Sequence, residues 1–263
     1  MTRKIVMIGA GNVAASMARA LARSHSIVQV YSRHMANARQ LAEAVGCGAA
    51  TDSLASIDPD ADTYVMAVRD DAIAQVAAAV PDRPGALWLH TSGTKPLAVL
   101  SASHAKCGVL YPMQSFSREM PVDFAEVPVF VEGSSPEAEA EVMQLAHTIS
   151  GHVEAADSQR RARLHVAAVM ACNFANHLWT LTADTLAEAG IDFKVMLPLI
   201  RSTVAKLDTL SPAQSQTGPA VRGDMEVIDR HRRMLGGRTR QIYDLMTESI
   251  IEHSAKEQDK ETK

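Results

Sequence analysis

Three stretches of this chain combine residue types and spacings that can do chemistry. The first is Gly9-Ala10-Gly11-Asn12-Val13-Ala14. It follows a β-forming run, Lys4 to Ile8, and opens a segment with small and apolar residues at helical spacing, Asn12 to Arg23. A strand, a glycine turn and a helix in that order present backbone amides and a helix N-terminus to an anion. Gly9 permits the tight turn, Gly11 lets the backbone approach a pyrophosphate, and Ala14 is small enough for close helix–strand packing. Gly9, Gly11, Asn12 and Val13 are therefore expected to hold a dinucleotide. The next β-branched run ends Val28-Gln29-Val30-Tyr31-Ser32-Arg33-His34. An NAD site places an acid about twenty residues past the glycines, but the first acid after this run is Glu43. Ser32 and Arg33 stand in the turn instead, where a guanidinium can pair with a 2′-phosphate. NADP(H) is the expected cofactor.

The second stretch is a set of strand ends, since in an open parallel sheet the ligand lies beyond the carboxyl ends of the strands. That rule selects Val68-Arg69-Asp70-Asp71, His90-Thr91-Ser92-Gly93 and Tyr111-Pro112-Met113-Gln114. Val68, His90, Thr91 and Ser92 are expected beside the nicotinamide, with His90 able to give or take a proton. Gln114 is expected to face the substrate. Asp70 and Asp71 are expected to cap the following helix.

The third stretch lies in the second half. At about 100° per residue, His165, Asn173 and Asn176 share one quadrant of a long helix whose neighbours Val166 to Met170 are apolar. Polar groups in such a setting need partners, which a cleft, an internal hydrogen-bond network or a helix–helix contact can supply. His165, Asn173 and Asn176 are the candidate catalytic residues; His177 lies off the quadrant. Further on, Thr217-Gly218-Pro219-Ala220-Val221-Arg222-Gly223-Asp224 offers two glycine turns, a guanidinium for a carboxylate and an N-cap aspartate. Thr217, Gly218 and Arg222 are the candidate substrate-binding residues. Cys47, Cys107 and Cys172 are odd in number and far apart, so neither a disulfide framework nor a metal cluster is expected.

These residues require an α/β scaffold to position them. Strands are predicted at Lys4 to Ile8, Ile27 to Tyr31, Asp62 to Val68, Ala86 to His90, Cys107 to Tyr111 and Val127 to Val131. Helices between them predict a parallel sheet covered on both faces. Pro136 to Ile149 is predicted to be a further helix on that sheet. One long helix is predicted from Asp157 through Ala189, closed by Gly190, then a helix over Phe193 to Leu210 kinked at Pro198. A loop from Ser211 to Gly223 leads to helices Asp224 to Leu235 and Thr239 to His253, with the last ten residues frayed. The boundary is placed so that residues 1–155 form a Rossmann-type domain and residues 156–263 an all-helical one.

Composition narrows the function classes. With 263 residues, 47% hydrophobic and 21% charged, the chain is an ordinary globular protein of about two domains. A net charge of -4 argues against a nucleic-acid surface, and no apolar run approaches a membrane span. Arg3-Lys4 and the apolar residues after them imitate a signal peptide, but the segment is short and broken by Asn12, so it is read as a buried strand. A cytoplasmic location is expected. Aromatics are only 4%, which leaves the core to aliphatic side chains. A helical domain of about a hundred residues can hardly bury its own apolar faces, so a homodimer through that domain is expected.

Taken together, the glycine loop, His90-Thr91-Ser92-Gly93, Tyr111 to Ser117, Leu164 to Ala168 with Asn173 and Asn176-His177, and Thr217 to Ala220 with Arg222-Gly223-Asp224 resemble one family. It is the Rossmann-like NADP-binding family with a C-terminal helical domain of unknown function. In plan that family is similar to pyrroline-5-carboxylate reductase, ketopantoate reductase, 6-phosphogluconate dehydrogenase and deazaflavin-dependent NADP reductases. The resemblance implies an NADP-dependent oxidoreductase that dimerises through its helical domain, with its site between domains. It supplies no substrate. Ketopantoate reductase and its hydroxyacid relatives carry a catalytic lysine on the long helix, followed by asparagines. The comparable position here is His165, with Val169 and Asn173 at the asparagine positions, so hydroxyacid chemistry through a lysine is not carried over. The expected function is reduction of a C=O or C=N bond in a small, carboxylate-bearing metabolite. The alternatives are a catalytically silent NADP(H)-binding or sensor protein and a bare scaffold with an empty nucleotide fold.

Overall fold

The computed structural model describes residues 2–117, 120 and 122–261, with side-chain surroundings as far as residue 257. Two compact units divide the chain, Met1–Cys172 and Asn173–Lys263. In the first, β1 (Lys4–Ile8), α1 (Asn12–Leu21), β2 (Ser26–Tyr31), α2 (Met35–Ala44), β3 (Ala50–Thr51), β4 (Thr63–Met66), α3 (Ile73–Ala79), β5 (Leu87–His90), α4 (Ala98–Ser101) and β6 (Cys107–Pro112) alternate. They are followed by β7 (Val129–Gly133), α5 (Pro136–His147), β8 (Val153–Ala155) and α6 (Ser158–Ala168). All eight strands join one sheet in the order β3-β2-β1-β4-β5-β6-β7-β8.

The strand period of two sends alternate residues to opposite faces. Ile5, Met7, Val65 and Leu89 pack under α1, α2 and α5 through Met17, Leu21, Leu41 and Leu145. Val6, Ile8, Tyr64, Met66 and Trp88 pack on the other face against Ile73, Val76 and Leu100 of α3 and α4. Both faces are thus covered, which is why β1 reads as a continuous apolar run.

Pairing from β3 through β6 is parallel, as predicted, but β7 runs antiparallel to β6. The expectation of a wholly parallel sheet is corrected to a mostly parallel one. Among the described residues the connection 113–128 holds no α-helix, only a 3-10 turn at Phe124–Glu126. Without a crossover helix the chain reverses instead of returning in parallel. β8 then pairs parallel with β7 after the α5 crossover. β3 and β8, of two and three residues, were not predicted.

The sheet ends at Ala155, whereas the compact units divide after Cys172. The intervening α6 belongs with the sheet: Leu164 packs against Val109, Tyr111, Phe130 and Ala156, and Arg161 pairs with Glu132 of β7. The single long helix is also corrected. After α6 the chain widens into a π-helical stretch, Val169–Phe174, before α7 (Ala175–Ala187). α7 ends at Ala187 with Glu188, not Gly190, as its C-cap, and Gly190 follows in the left-handed region at φ +69°.

In the second unit α7 is followed by α8 (Leu197–Ala205), α9 (Pro212–Ser215), α10 (Pro219–Arg222), α11 (Met225–Met234) and α12 (Gly237–Glu261). Pro198 lies in the first turn of α8 and causes no kink, because an amide there has no helical partner to lose. The expected loop 211–223 contains the single turns α9 and α10. The expected fraying of the last ten residues is corrected for 254–261, which continue α12, while 262–263 lie outside the described residues. Among the described residues of this unit only Ile228 and Thr247 are buried. The helix face expected to be buried is open in the single chain, with Val166 59%, Met170 60% and Phe174 59% exposed. Among the described residues no helix is long and apolar enough to cross a membrane, and no His, Cys, Asp or Glu cluster could hold a metal ion.

Candidate active site

Gly9 and Gly11 are glycines for different reasons. Gly9 stands at φ +121°, and a Cβ there would sit 2.3 Å from the Ala67 carbonyl oxygen. Its amide donates to the Tyr31 carbonyl at 2.8 Å, which ties the turn to β2. Gly11, the N-cap of α1, has an ordinary extended backbone, and a Cβ would meet nothing within 4 Å. No packing inside the chain requires its bareness. The α1 N-terminus has no side-chain cap and no acid in its first turn, so its leading amides remain available to an outside anion.

In front of these glycines lies a cleft of about 240 Å³, lined by Gly9, Ala10, Gly11, Ser32, Arg33, Asn37 and Val68 among others. The structure therefore brings together five of the sequence-selected cofactor residues. The Ser32 hydroxyl accepts from the His34 amide at 3.4 Å. Arg33 is exposed and, among the described residues, makes no ion pair or hydrogen bond through its guanidinium. Arg69, on the same cleft, is held by Asp71 through two hydrogen bonds of 3.2 and 3.1 Å. Of the two cations, Arg33 is the one free to meet a phosphate. Val13, half-buried, sits in the first turn of α1. Asn12 points its amide elsewhere, donating to the Phe116 carbonyl at 3.0 Å and pinning the loop after β6 against α1.

The β5 end behaves differently from its sequence reading. His90 has no exposed surface; its Nδ1 accepts from the Ser92 amide at 3.2 Å. Burial, reinforced by the Arg161 charge, pushes its pKa down to about 4, so it is neutral near pH 7. A proton-transfer role at a ligand is replaced by a role inside the wall. Ser92 is likewise engaged: its hydroxyl donates to Asp70 at 2.8 Å and accepts from the amides of Thr94 and Lys95. Asp70 also accepts from the Thr94 hydroxyl at 2.6 Å. The expected capping by Asp70 and Asp71 is corrected, for the turn after Arg69 has no side-chain cap. Asp70 instead ties the β4 end to the β5 end, and Asp71 binds Arg69. Thr91 is half-buried beside them.

His165 meets two of the strand ends selected from the sequence, at Tyr111 and Gly93, residues given no role of their own there. Its Nδ1 lies 3.3 Å from the Tyr111 hydroxyl of β6. A Cβ on Gly93 would fall 2.7 Å from that Nδ1 and 2.8 Å from Tyr111 Cζ, so the missing side chain is what lets ring and imidazole meet. One turn earlier on α6, Arg161 is buried; it pairs with Glu132 and donates to the Lys95 carbonyl at 2.6 Å. The available signal was spacing, since Arg161 and His165 are four apart on one helix face.

The other selected residues stand as follows. Gln114 is exposed, its side-chain carbonyl accepting from the Ser115 amide at 2.7 Å. In the second unit Asn173 lies in the π-helical stretch and Asn176 in the first turn of α7, both exposed. The constant 100° per residue that grouped them with His165 does not hold across a π-helical stretch. Thr217 and Arg222 are exposed on the α9–α10 segment, and Gly218, at φ +117°, is the N-cap of α10. Asp224 caps α11 as predicted, accepting from the Val227 amide.

Residues 4–89 match the family described as NADP oxidoreductase coenzyme F420-dependent. Residues 127–250 match a domain of unknown function, DUF2520. No curated protein matches the chain. Among solved structures, a candidate NADP oxidoreductase from Bacteroides fragilis is 42% identical, with 95% of this chain and 98% of that chain covered and a TM-score of 0.88. A protein from Thermotoga maritima is 23% identical over 95% of this chain and 99% of that one, with a TM-score of 0.80. A reductive aminase from Aspergillus terreus, solved with NADPH and ethyl-5-oxohexanoate, is 14% identical over 96% and 95% of the two chains, with a TM-score of 0.72. The last two share the fold. The chain belongs to the NADP oxidoreductase family that carries a DUF2520 domain.

Proposed function

We propose that this chain is an NADP(H)-dependent oxidoreductase that reduces a C=O or C=N bond of a small, carboxylate-bearing metabolite. The observation that carries the reading is Gly11, whose absent side chain leaves open space before uncapped α1 amides beside an unpaired Arg33. Gly9, Gly11, Val13 and the α1 amides hold the pyrophosphate, Ser32 and Arg33 the 2′-phosphate, and Val68 lines the cleft. Bound NADPH supplies a hydride to the substrate carbon. His165 supplies the proton to the oxygen or nitrogen of the reduced bond, acting as general acid. Asn173 and Asn176 remain the other candidate catalytic residues, and Thr217, Gly218 and Arg222 are assigned to the substrate, with Arg222 on its carboxylate. The chain works as a homodimer through its helical unit, whose open apolar faces support that assembly.

Dinucleotide-dependent shifts in melting temperature test the cofactor assignment. NADPH should raise the wild-type midpoint by several degrees, and NADH by less. Gly11→Val should fold normally, since nothing lies within 4 Å of a Cβ there, and lose the NADPH shift. Arg33→Ala should cut the NADPH preference about 10- to 100-fold, the worth of charge-assisted hydrogen bonds. An NADPH shift that survives Gly11→Val overturns the cleft. A metabolite panel scored by NADPH consumption separates an enzyme from a silent sensor: turnover abolished by His165→Ala supports the first, and tight binding without turnover, motivated by His165 at the relatives' lysine position, supports the second.

A further inference from the structure

The Tyr111 side chain, 8% exposed, lies against Gly93 and α6, and its hydroxyl stands 3.3 Å from His165 Nδ1. A phenol has one proton to give and an oxygen that accepts. If it only accepted from an Nδ1–H, its own proton would have no other protein acceptor within hydrogen-bond reach among the described residues, and donors on side chains this little exposed are rarely left so. We infer that Tyr111 donates to His165 Nδ1 and so fixes the imidazole with its proton on Nε2, the nitrogen turned away from the phenol. Tyr111 is a positioning residue: it touches His165 and leaves the proton-bearing nitrogen as the one open to a substrate.

Three observations support this. Burial raises the Tyr111 pKa above its ordinary value, so the phenol keeps its proton at working pH. Gly93 has no side chain where one would stand 2.7 Å from Nδ1, so the contact depends on that residue being glycine. Arg161, four residues before His165, is locked to Glu132 and the Lys95 carbonyl, which holds this face of α6 against the strand ends. The catalytic meaning of the arrangement rests on the reading of His165 as proton donor; the tautomer itself does not.

Long-range proton–nitrogen NMR of the full chain with 15N-labelled histidine reads the tautomer directly, with the His165 signals identified by their loss in His165→Gln. Above the imidazole pKa, wild type should show the Nε2–H form as its dominant neutral species. Tyr111→Phe should keep the fold and the NADPH-induced thermal shift, yet lose that preference and give a mixture of the two forms. Gly93→Ala, whose methyl would part the two rings, should give the same mixture and guards against a misfolded Tyr111 variant. A wild type in the Nδ1–H form, or an unchanged pattern in a folded Tyr111→Phe or Gly93→Ala chain, overturns the inference. Loss of NADPH binding with the tautomer intact would count against the cofactor reading alone, and an inert metabolite panel against the enzyme reading alone.

Discussion

His90, at the end of β5, has no exposed surface and a pKa near 4 in place of the ordinary 6.5. The folded chain therefore refuses a proton that the unfolded chain accepts as pH falls from 6.5 to 4. Above 6.5 both states hold the imidazole neutral and stability is full; below it stability drops, by about 3 kcal/mol once pH 4 is reached, since each pKa unit is worth about 1.4 kcal/mol. His104 and His25, lowered mainly by burial, push in the same direction. Urea unfolding at pH 7.5 and pH 4.5 should show the loss, and His90→Asn, which keeps an acceptor for the Ser92 amide, should remove the largest share. Equal stability of wild type at the two pH values would refute it. The same residue shows what the sequence can and cannot disclose about a site. Gly9, Gly11, Ser32, Arg33 and Val68 were legible because each is marked by the glycine motif, the turn after the second strand or a strand's carboxyl end, and they line one cleft. His90 and His165 look alike in sequence; their surroundings, built from residues far along the chain, make one a wall and the other a partner of Tyr111, 54 positions away.

Among the elements, α6 depends on one ion pair. Arg161 and Glu132, with side chains 1% and 15% exposed, join the helix to β7, and the Ser158 hydroxyl donates to the same carboxylate at 2.9 Å. Removing one partner leaves the other charge desolvated and unpaired, which costs about 3–5 kcal/mol, far more than the pair itself contributes. Arg161→Met should lower unfolding stability by that amount, and adding Glu132→Gln should recover much of it. A loss under about 1 kcal/mol in the single variant would show that α6 is held by Leu164 and its apolar neighbours alone. The elements were legible in proportion to their periodicity. The strands between helices were placed to within a few residues, because β-branched runs and helical stretches alternate strongly there. The reversal at β7 escaped because among the described residues 113–128 holds no α-helix, and such a segment reads in sequence as an ordinary gap. The π-helical stretch Val169–Phe174 escaped because its residues, valine, methionine, alanine, cysteine, asparagine and phenylalanine, fit an α-helix equally well.

For the whole molecule the two units present opposite balances of burial. The first covers both faces of its sheet. The second spans residues 173–263, yet only Ile228 and Thr247 are buried among its described residues, while Val195, Leu199, Leu207 and Leu245 stay 50% or more exposed. A groove of about 340 Å³ lined by Leu178, Leu181, Leu186, Leu235, Ile242 and Met246 runs along the same unit. Soluble monomers rarely leave large apolar patches open, and a second copy of the same helices would give a self-complementary cover under two-fold symmetry. The two assemblies respond oppositely to charge. In a monomer, Glu at Leu199 and Leu245 would replace side chains already 63% and 66% exposed, and such surface changes stay within about 0.5 kcal/mol. In a dimer that covers them, each buried carboxylate opposes association. Sedimentation of wild type should therefore give twice the chain mass with a concentration-dependent melting temperature. Leu199→Glu/Leu245→Glu should shift it toward one chain mass and lower the midpoint. A wild type that sediments as a single chain, with the double variant melting alongside it, would show that the helical unit is stable with its apolar faces open.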